Sequence, residues 1–148
     1  MGAVFAFSLG ILYANFVEWF VHKVLFHGLG KKKDSFFSFH LREHHKNVLK
    51  NNYYDSKFSK IELPGIVFLL LTHLPLATIS QPFYIALVIY GLLFVGIHNM
   101  LHKNPVFGHK YFRWHWNHHM SNQNKSWGVV LPLFDILAGT LEKRGEKY

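Results

Sequence analysis

Ten of the twelve histidines in this chain fall into four short groups, and imidazoles at such spacing are typical of metal binding. In chain order the groups are H-x4-H, H-x3-HH, H-x3-H and H-x2-HH, made of His22, His27, His40, His44, His45, His98, His102, His115, His118 and His119. Helical residues three or four apart share a face, so His98 and His102 can reach one ion. The same holds for His115 with His118 or His119. The spacing therefore predicts a metal centre built from several segments.

The first group needs a different explanation, because residues five apart do not share a face on a regular α-helix. His22 and His27 have this spacing. We expect the helix to bend or end around residues 26–28, where Gly28 and Gly30 permit a turn.

Two histidines stand outside the groups. His109 is interpreted as a structural hydrogen-bonding residue. His73 lies in an apolar stretch, where an ionisable side chain is a candidate for function. Its distance from the four groups favours a structural role.

The ligand types narrow the choice of metal. The chain has no cysteine, which excludes thiolate sites and disulfides. Ten imidazoles suit two ions with about five ligands each, which leaves an open position on each ion for oxygen or water. Zinc usually takes four ligands, so this number favours iron, although a purified sample can still contain zinc. Without a metal, so many imidazoles at one interface would be costly to bury and would repel one another when protonated.

The elements that must position these groups are predicted from the charge pattern. All 16 Lys and Arg lie within residues 23–60 and 103–147, although a formal charge of +8 would otherwise suggest a nucleic acid partner. The stretches between them are apolar, and about 20 such residues cross a membrane as a helix. We expect spans near 3–21, 63–80 and 83–102. The predicted fold is all-α, an integral membrane helical bundle with about three spans and no nucleic acid partner.

Three spans place every Lys and Arg on one side of the membrane. The positive-inside rule assigns that side to the cytoplasm. All four histidine groups lie on it, in a predicted cytoplasmic helical cap. We expect one membrane-embedded domain over residues 1–148, in a bacterial inner membrane or the endoplasmic reticulum.

The ordered motifs resemble those of the integral-membrane fatty acid hydroxylase/sterol desaturase superfamily. EWFVHKVLFH at 18–27 is similar to its opening motif, and HLREHH at 40–45 is similar to its second histidine box. HNMLH at 98–102 and HWNHH at 115–119 are similar to the third and fourth boxes. WGVVLPLFDILAGT at 127–140 resembles the segment that closes such proteins. The second box has three residues between its first two histidines, whereas fatty acid 2-hydroxylases usually have two.

The resemblance implies a non-haem di-iron enzyme whose metal ligands are the ten grouped histidines. The implied reaction is O2-dependent oxidation, most simply hydroxylation, of an unactivated C–H bond on a membrane lipid such as a fatty acyl chain or sterol. The chain lacks the fused cytochrome b5-like domain of some members. A separate electron donor is therefore expected, namely a cytochrome b5-like protein, a ferredoxin or a reductase. No catalytic residue beyond the metal ligands is predicted.

Two carboxylates are candidates for orienting the ligands. Glu18 lies one helical turn before His22 on the same face, where a carboxylate can orient an imidazole N–H. The alternative is an interfacial carboxylate without that role. Asp135 serves similarly or stabilises a turn in the tail.

Other functions remain open at this point. The short chain is also similar to carotenoid ring hydroxylases, which share the histidine boxes. A non-catalytic membrane metal-binding or transport protein would place ligands along a pathway near the bilayer midplane. A bis-histidine haem protein would leave most of the ten residues unexplained, so no haem is expected. The sequence does not distinguish hydroxylation from desaturation.

Overall fold

The computed structural model describes residues 2–56 and 62–142, and every regular element within these two stretches is helical. The α-helices are α1 Gly2–Phe20, α2 Lys46–Lys50, α3 Glu62–Thr72, α4 Leu76–Ile79, α5 Gln81–Lys103, α6 Pro105–Tyr111, α7 Arg113–Met120 and α8 Leu133–Leu137. Two π-helices span Val21–Gly28 and His40–His45, and two 3-10 helices span Leu29–Lys31 and Phe36–Ser38. The predicted all-α class is confirmed.

Two helices are long and apolar enough to cross a membrane. One is α1 with its extension, Gly2–Lys31, and the other is α5. Only 17% and 33% of the residues in their most apolar stretches are buried, whereas a core helix of a soluble protein would be mostly buried. Predicted spans 3–21 and 83–102 fall on these helices.

The stretch predicted as a third span is interrupted. Helix α3 ends at Thr72 and α4 begins at Leu76, so residues 63–80 form two short helices instead of one. Pro75 has no N–H and cannot continue the helical hydrogen bonds, and the chain tightens there, with the Leu74 N–H bonded to the Leu71 carbonyl at 3.2 Å. The count of three spans is therefore not confirmed by helix length.

Helices α1 and α5 pack closely against each other. A Cβ atom on Gly10 would lie 2.6 Å from the Phe83 carbonyl oxygen and 2.7 Å from Cβ of Ala86, so only glycine permits this approach. Farther along, the buried amide of Asn15 donates to the Tyr90 hydroxyl at 2.7 Å. This contact joins the two helices before they lead to histidines, since the π-helix with His22 and His27 follows α1, and α5 carries His98 and His102 near its C-terminal end.

A small apolar core lies beside the histidines. Its fully buried members are Val48, Tyr53, Leu101 and Val129, which come from four separate parts of the chain. Partly buried apolar side chains pack around them, namely Phe94, Ile97, Phe107, Phe112, Trp116 and Met120. The core thereby joins α2, α5, α6 and α7 to the segment after residue 126.

Candidate metal centre

Nine of the grouped imidazoles form two buried clusters. In each cluster, one nitrogen per ring lies within 4.8 Å of one nitrogen of every other member. We call them the first cluster, made of His22, His27, His40, His45 and His118, and the second cluster, made of His44, His98, His102 and His119. The number of grouped histidines predicts two sites of about five residues each.

His115 adjoins the second cluster. Its Nε2 lies 3.3 Å from Nε2 of His102, and its ring centroid lies 4.7 Å from that of His119. The ring is fully buried. The structure therefore brings all ten grouped histidines together.

Two π-helices explain the histidine pairs with five-residue spacing. A π-helix forms i→i+5 hydrogen bonds, so residues five apart lie one turn above each other. The rings of His22 and His27 have centroids 5.1 Å apart within Val21–Gly28, and Nε2 atoms of His40 and His45 are 3.1 Å apart within His40–His45. The π-helix ends at Gly28 and a 3-10 helix follows, which agrees with the predicted bend or end around residues 26–28, but the π-helical geometry itself was not predicted. The regular α-helix ends at Phe20, and the wider π-helix aligns the rings.

Each of the two HH doublets contributes one imidazole to each cluster. Adjacent residues on a helix point in different directions, about 100° apart on an α-helix. His45 and His118 accordingly lie in the first cluster, whereas their neighbours His44 and His119 lie in the second. The doublets therefore place the two clusters side by side, and the rings of His45 and His119 are 4.2 Å apart between centroids.

Backbone carbonyls orient three of the imidazoles. In each case Nδ1 lies within hydrogen-bonding distance of a carbonyl oxygen, and the pairs are His22 with Trp127 (2.5 Å), His102 with Tyr53 (3.0 Å) and His118 with Lys125 (2.7 Å). A carbonyl can only accept a hydrogen bond, so Nδ1 carries the hydrogen in these rings. The Nε2 lone pair then faces the cluster, as in metal-binding histidines.

Two buried carboxylates near the second cluster contact its imidazoles, and the sequence alone does not predict these contacts. Oε2 of Glu62 lies 3.2 Å from Nδ1 of His98, and Oδ2 of Asp55 lies 3.7 Å from Nδ1 of His44. The sequence contains a signal for Glu62, because this residue immediately precedes 40 residues without Asp, Glu, Lys or Arg. The backbone carbonyls of the other pairs carry no such signal in the sequence.

The distances between nitrogen atoms fit metal coordination. Nε2 of His98 and His102 are 3.1 Å apart, yet both Nδ1 atoms face acceptors, so two lone pairs point at each other. This arrangement is repulsive unless a metal ion, or a proton on one of the two rings, lies between them. With metal–nitrogen bonds of about 2.1 Å, neighbouring ligands lie about 3.0 Å apart at right angles and about 3.4 Å apart in a tetrahedron.

The first cluster has the same spacing. Its Nε2 contacts are His22–His40 at 3.0 Å, His27–His45 at 3.1 Å, His40–His45 at 3.1 Å and His45–His118 at 3.2 Å.

In the second cluster, both nitrogens of His119 are buried without a hydrogen-bond partner, and a metal bond would supply a partner for one of them. The residues of both clusters therefore fit divalent metal ions.

Burial also sets the protonation state of the rings. It lowers the pKa well below 6.5 for five histidines outside the membrane-spanning helices, namely His40, His45, His115, His118 and His119. Neighbouring imidazoles lower these pKa values further. These rings are therefore neutral at pH 7, which is the form that binds metal.

Glu18 contacts the metal-site region without bonding to an imidazole among the described residues. Its carboxylate accepts hydrogen bonds from the backbone N–H groups of Val129 and Val130 and from the Tyr90 hydroxyl. Direct orientation of His22 by Glu18 was the prediction, and the Trp127 carbonyl occupies that position on Nδ1 instead. Glu18 therefore positions His22 indirectly, because it binds the backbone of the segment that carries the Trp127 carbonyl.

Asp135 holds the other end of the same segment. Its carboxylate accepts from the N–H of Trp127 at 3.0 Å, from the N–H of Gly128 at 2.7 Å and from the hydroxyl of Thr140 at 2.7 Å. The side chain is fully buried. Both carboxylates named in the sequence analysis therefore converge on residues 127–130, which support His22.

An apolar cavity of about 540 Å³ extends from the clusters between α1, α3 and α5. Three grouped histidines, His22, His40 and His98, line it at one end, which we call the histidine end. Tyr13 and His73 line the opposite end. Most of the remaining lining consists of aliphatic and phenylalanine side chains, so the cavity suits a long apolar molecule.

The two isolated histidines belong to neither cluster. His73 accepts a hydrogen bond from Tyr13 at the far end of the cavity. His109 packs against Trp116, with ring centroids 4.9 Å apart. Among the described residues, both lie away from the grouped imidazoles, as their isolation in the sequence predicted.

Comparison with known proteins agrees with the motifs. A family model described as fatty acid hydroxylase matches residues 7–140, which is most of the chain and includes every grouped histidine. No curated protein matches the chain, and no solved structure matches it. The family consists of membrane-associated hydroxylases and desaturases, which supports an oxidoreductase located in a membrane. The chain belongs to the fatty acid hydroxylase family.

Proposed function

We propose that this protein is a membrane lipid hydroxylase with two iron ions. The first cluster would hold one ion, and the second cluster with His115 would hold the other. When bound, the iron pair supplies the redox chemistry that activates O2 for attack on an unactivated C–H bond. The facing Nε2 lone pairs in two adjacent buried clusters carry this proposal.

The overall reaction balances with an external reductant. The substrate C–H bond and O2, with two electrons and two protons, give a C–OH group and one water molecule. The electrons come from a separate donor protein of the cytochrome b5-like, ferredoxin or reductase class. The excess of Lys and Arg supports docking of an acidic donor by electrostatic attraction.

The cavity selects the substrate by its apolarity. Val17, Leu87 and Phe94 line it between α1 and α5, and Ile66 and Phe68 line it from α3. A fatty acyl chain or a comparably long lipid can replace water there without leaving polar groups unpaired. The protein's own contribution is to place one carbon beside the histidine end and to keep water away from it.

We place the site at the cytoplasmic face of the membrane. The apolar stretch that contains α3 and α4 forms a third, broken membrane passage in this arrangement, and the chain forms one domain. The location of all Lys and Arg outside the apolar stretches supports it. A lipid can then enter from the bilayer while the electron donor binds from the cytoplasm.

Oxidation with labelled oxygen tests the proposal. The purified protein in lipid nanodiscs, loaded with ferrous iron and supplied with an electron donor, is given membrane lipids under ¹⁸O2. Mass spectrometry should detect one ¹⁸O atom in a lipid hydroxyl group. The double substitution His118→Ala and His119→Ala should abolish the product, because it removes one ligand from each cluster.

His109→Ala is the matched control, because His109 lies outside both clusters. It should retain product formation. A product that persists in the double variant would contradict the proposal, as would an optical spectrum dominated by a Soret band.

A further inference from the structure

A polar pair lies at the end of the cavity farthest from the histidine end. We call Tyr13 and His73 the distal pair. The Tyr13 hydroxyl lies 2.9 Å from Nε2 of His73, and Nδ1 of His73 lies 2.7 Å from the Leu69 carbonyl oxygen. Because a carbonyl only accepts, Nδ1 carries the hydrogen of the neutral imidazole, and Nε2 accepts from the tyrosine. The Tyr13 oxygen keeps lone pairs that can accept another hydrogen bond.

Two helices independently give the distance between the cavity ends. From Tyr13 on α1 to His22 at the start of the π-helix that continues it, the interval corresponds to about 14 Å at about 1.5 Å per residue. Along α3, the interval from His73 back to Glu62 corresponds to about 16 Å. Both segments reach the cavity at both ends. A molecule that contacts the distal pair and the histidine end must therefore be elongated.

The other polar side chains along the cavity are already paired. Glu18 accepts hydrogen bonds from Tyr90 and from the backbone of Val129 and Val130. Tyr90 in turn uses its hydroxyl hydrogen on Glu18. Tyr13 differs, because about a third of its surface, 37%, remains accessible beside an apolar cavity. Among the described residues that line the cavity, the distal pair is therefore the polar contact available away from the histidine end.

We infer that the distal pair binds the hydroxyl group of an elongated apolar alcohol and so determines which of its carbons reaches the histidine end. The alcohol donates to the Tyr13 oxygen while Tyr13 donates to His73. The apolar body fills the cavity alongside Val17 and Leu87. This inference rests on the proposed function, because it names the chemical class of the substrate.

Photolabelling tests the inference without requiring activity. The probe is a straight-chain primary alcohol with a diazirine beside its hydroxyl group and an alkyne at its other end. The matched probe is its methyl ether, which has no hydrogen to donate. Peptide mass spectrometry should locate the alcohol's label near the distal pair, with about five-fold less labelling by the ether. This ratio corresponds to the loss of one hydrogen bond worth about 1 kcal/mol.

Tyr13→Phe removes the hydroxyl and retains the ring, which packs against Phe83 with centroids 5.6 Å apart. It should reduce alcohol labelling about five-fold and leave ether labelling unchanged. Tyr84→Phe is the matched control, since the Tyr84 hydroxyl donates to the Leu70 carbonyl and does not line the cavity. It should label like the unmodified protein.

Equal labelling by the alcohol and the ether in the unmodified protein would overturn the inference, and this comparison needs no variant. Tyr13-independent labelling would overturn it as well. Because labelling requires neither metal nor O2, its result is separate from catalysis. Tyr13-dependent labelling without any lipid oxidation would retain the binding site and refute the proposed function. Lipid oxidation with Tyr13-independent labelling would support the proposed function and refute the binding site.

Discussion

At the scale of single residues, the adjacent histidines explain how two sites fit in so small a region. His118 and His119 leave the same turn of α7 but enter different clusters, and the doublet at 44–45 does the same. Each doublet therefore links the two clusters through one peptide bond. This short link holds the clusters at a nearly fixed separation, which the proposed reaction at two ions requires.

Each single substitution in the α7 doublet should remove one of the two proposed ions and leave the other bound. His118→Ala removes a ligand from the first cluster, and His119→Ala removes one from the second. Each variant should retain about one of the two ions, because the other cluster keeps its ligands. Elemental analysis of purified protein measures this directly, with His109→Ala as a control that retains both. Loss of both ions from each single variant would indicate one indivisible site.

At the scale of elements, the approach of α1 to α5 positions the histidine-bearing segments. The contact at Gly10 admits no side chain, because a Cβ atom would lie 2.6 Å from the Phe83 carbonyl oxygen. The π-helix at Val21–Gly28 follows directly from α1, so its orientation depends on that packing. A displacement of α1 would move His22 and His27 relative to α5.

Gly10→Ala should destabilise the protein by about 1–3 kcal/mol, because the methyl group forces the helices apart. Gly96→Ala is the matched control, since Gly96 lies on the partner helix α5 and its Cβ atom would meet nothing within 4 Å. The control should be neutral or stabilising, as alanine favours helix. Thermal unfolding in detergent, followed by tryptophan fluorescence, measures both. Equal melting temperatures for the two variants would show that the close contact is not a stability determinant.

The sequence predicts the elements whose signals are local. Apolar stretches identify α1 and α5, and the four-residue interval between His98 and His102 identifies a shared helix face. The π-helices are not predictable in this way, because their histidines contact imidazoles far away in the chain, such as His118, and the local sequence does not reveal these contacts. The Trp127 carbonyl on His22 is likewise invisible, since every residue has a carbonyl.

At the scale of the whole molecule, four segments far apart in the chain meet at the buried histidines. The π-helix at Val21–Gly28, the π-helix at His40–His45, α5 and α7 each contribute rings to this one region. Burial of so many imidazoles without metal would require most of them to stay neutral and would leave lone pairs facing one another. Metal binding and folding are therefore expected to be coupled.

Acid should release the ions within a defined pH range. Burial lowers the pKa of rings such as His40 and His119 well below 6.5, so the folded clusters bind fewer protons than the unfolded chain. The free energy of unfolding should thus be constant above about pH 7 and fall as pH drops through about 6.5. Protons also compete with metal for the imidazoles. Metal content measured after gel filtration between about pH 8 and pH 5 checks this, and ions retained at pH 5 would contradict it.

The exposed aromatic side chains at the cavity have a kinetic consequence. Phe36 and Phe68 line the cavity and remain 73% and 66% exposed, so its walls continue into the surrounding lipid. Under the proposed function, the substrate reaches the cavity from a two-dimensional solvent. The concentration that governs turnover would then be the substrate's mole fraction among the lipids, and inert lipid added to the same membrane would act as a diluent.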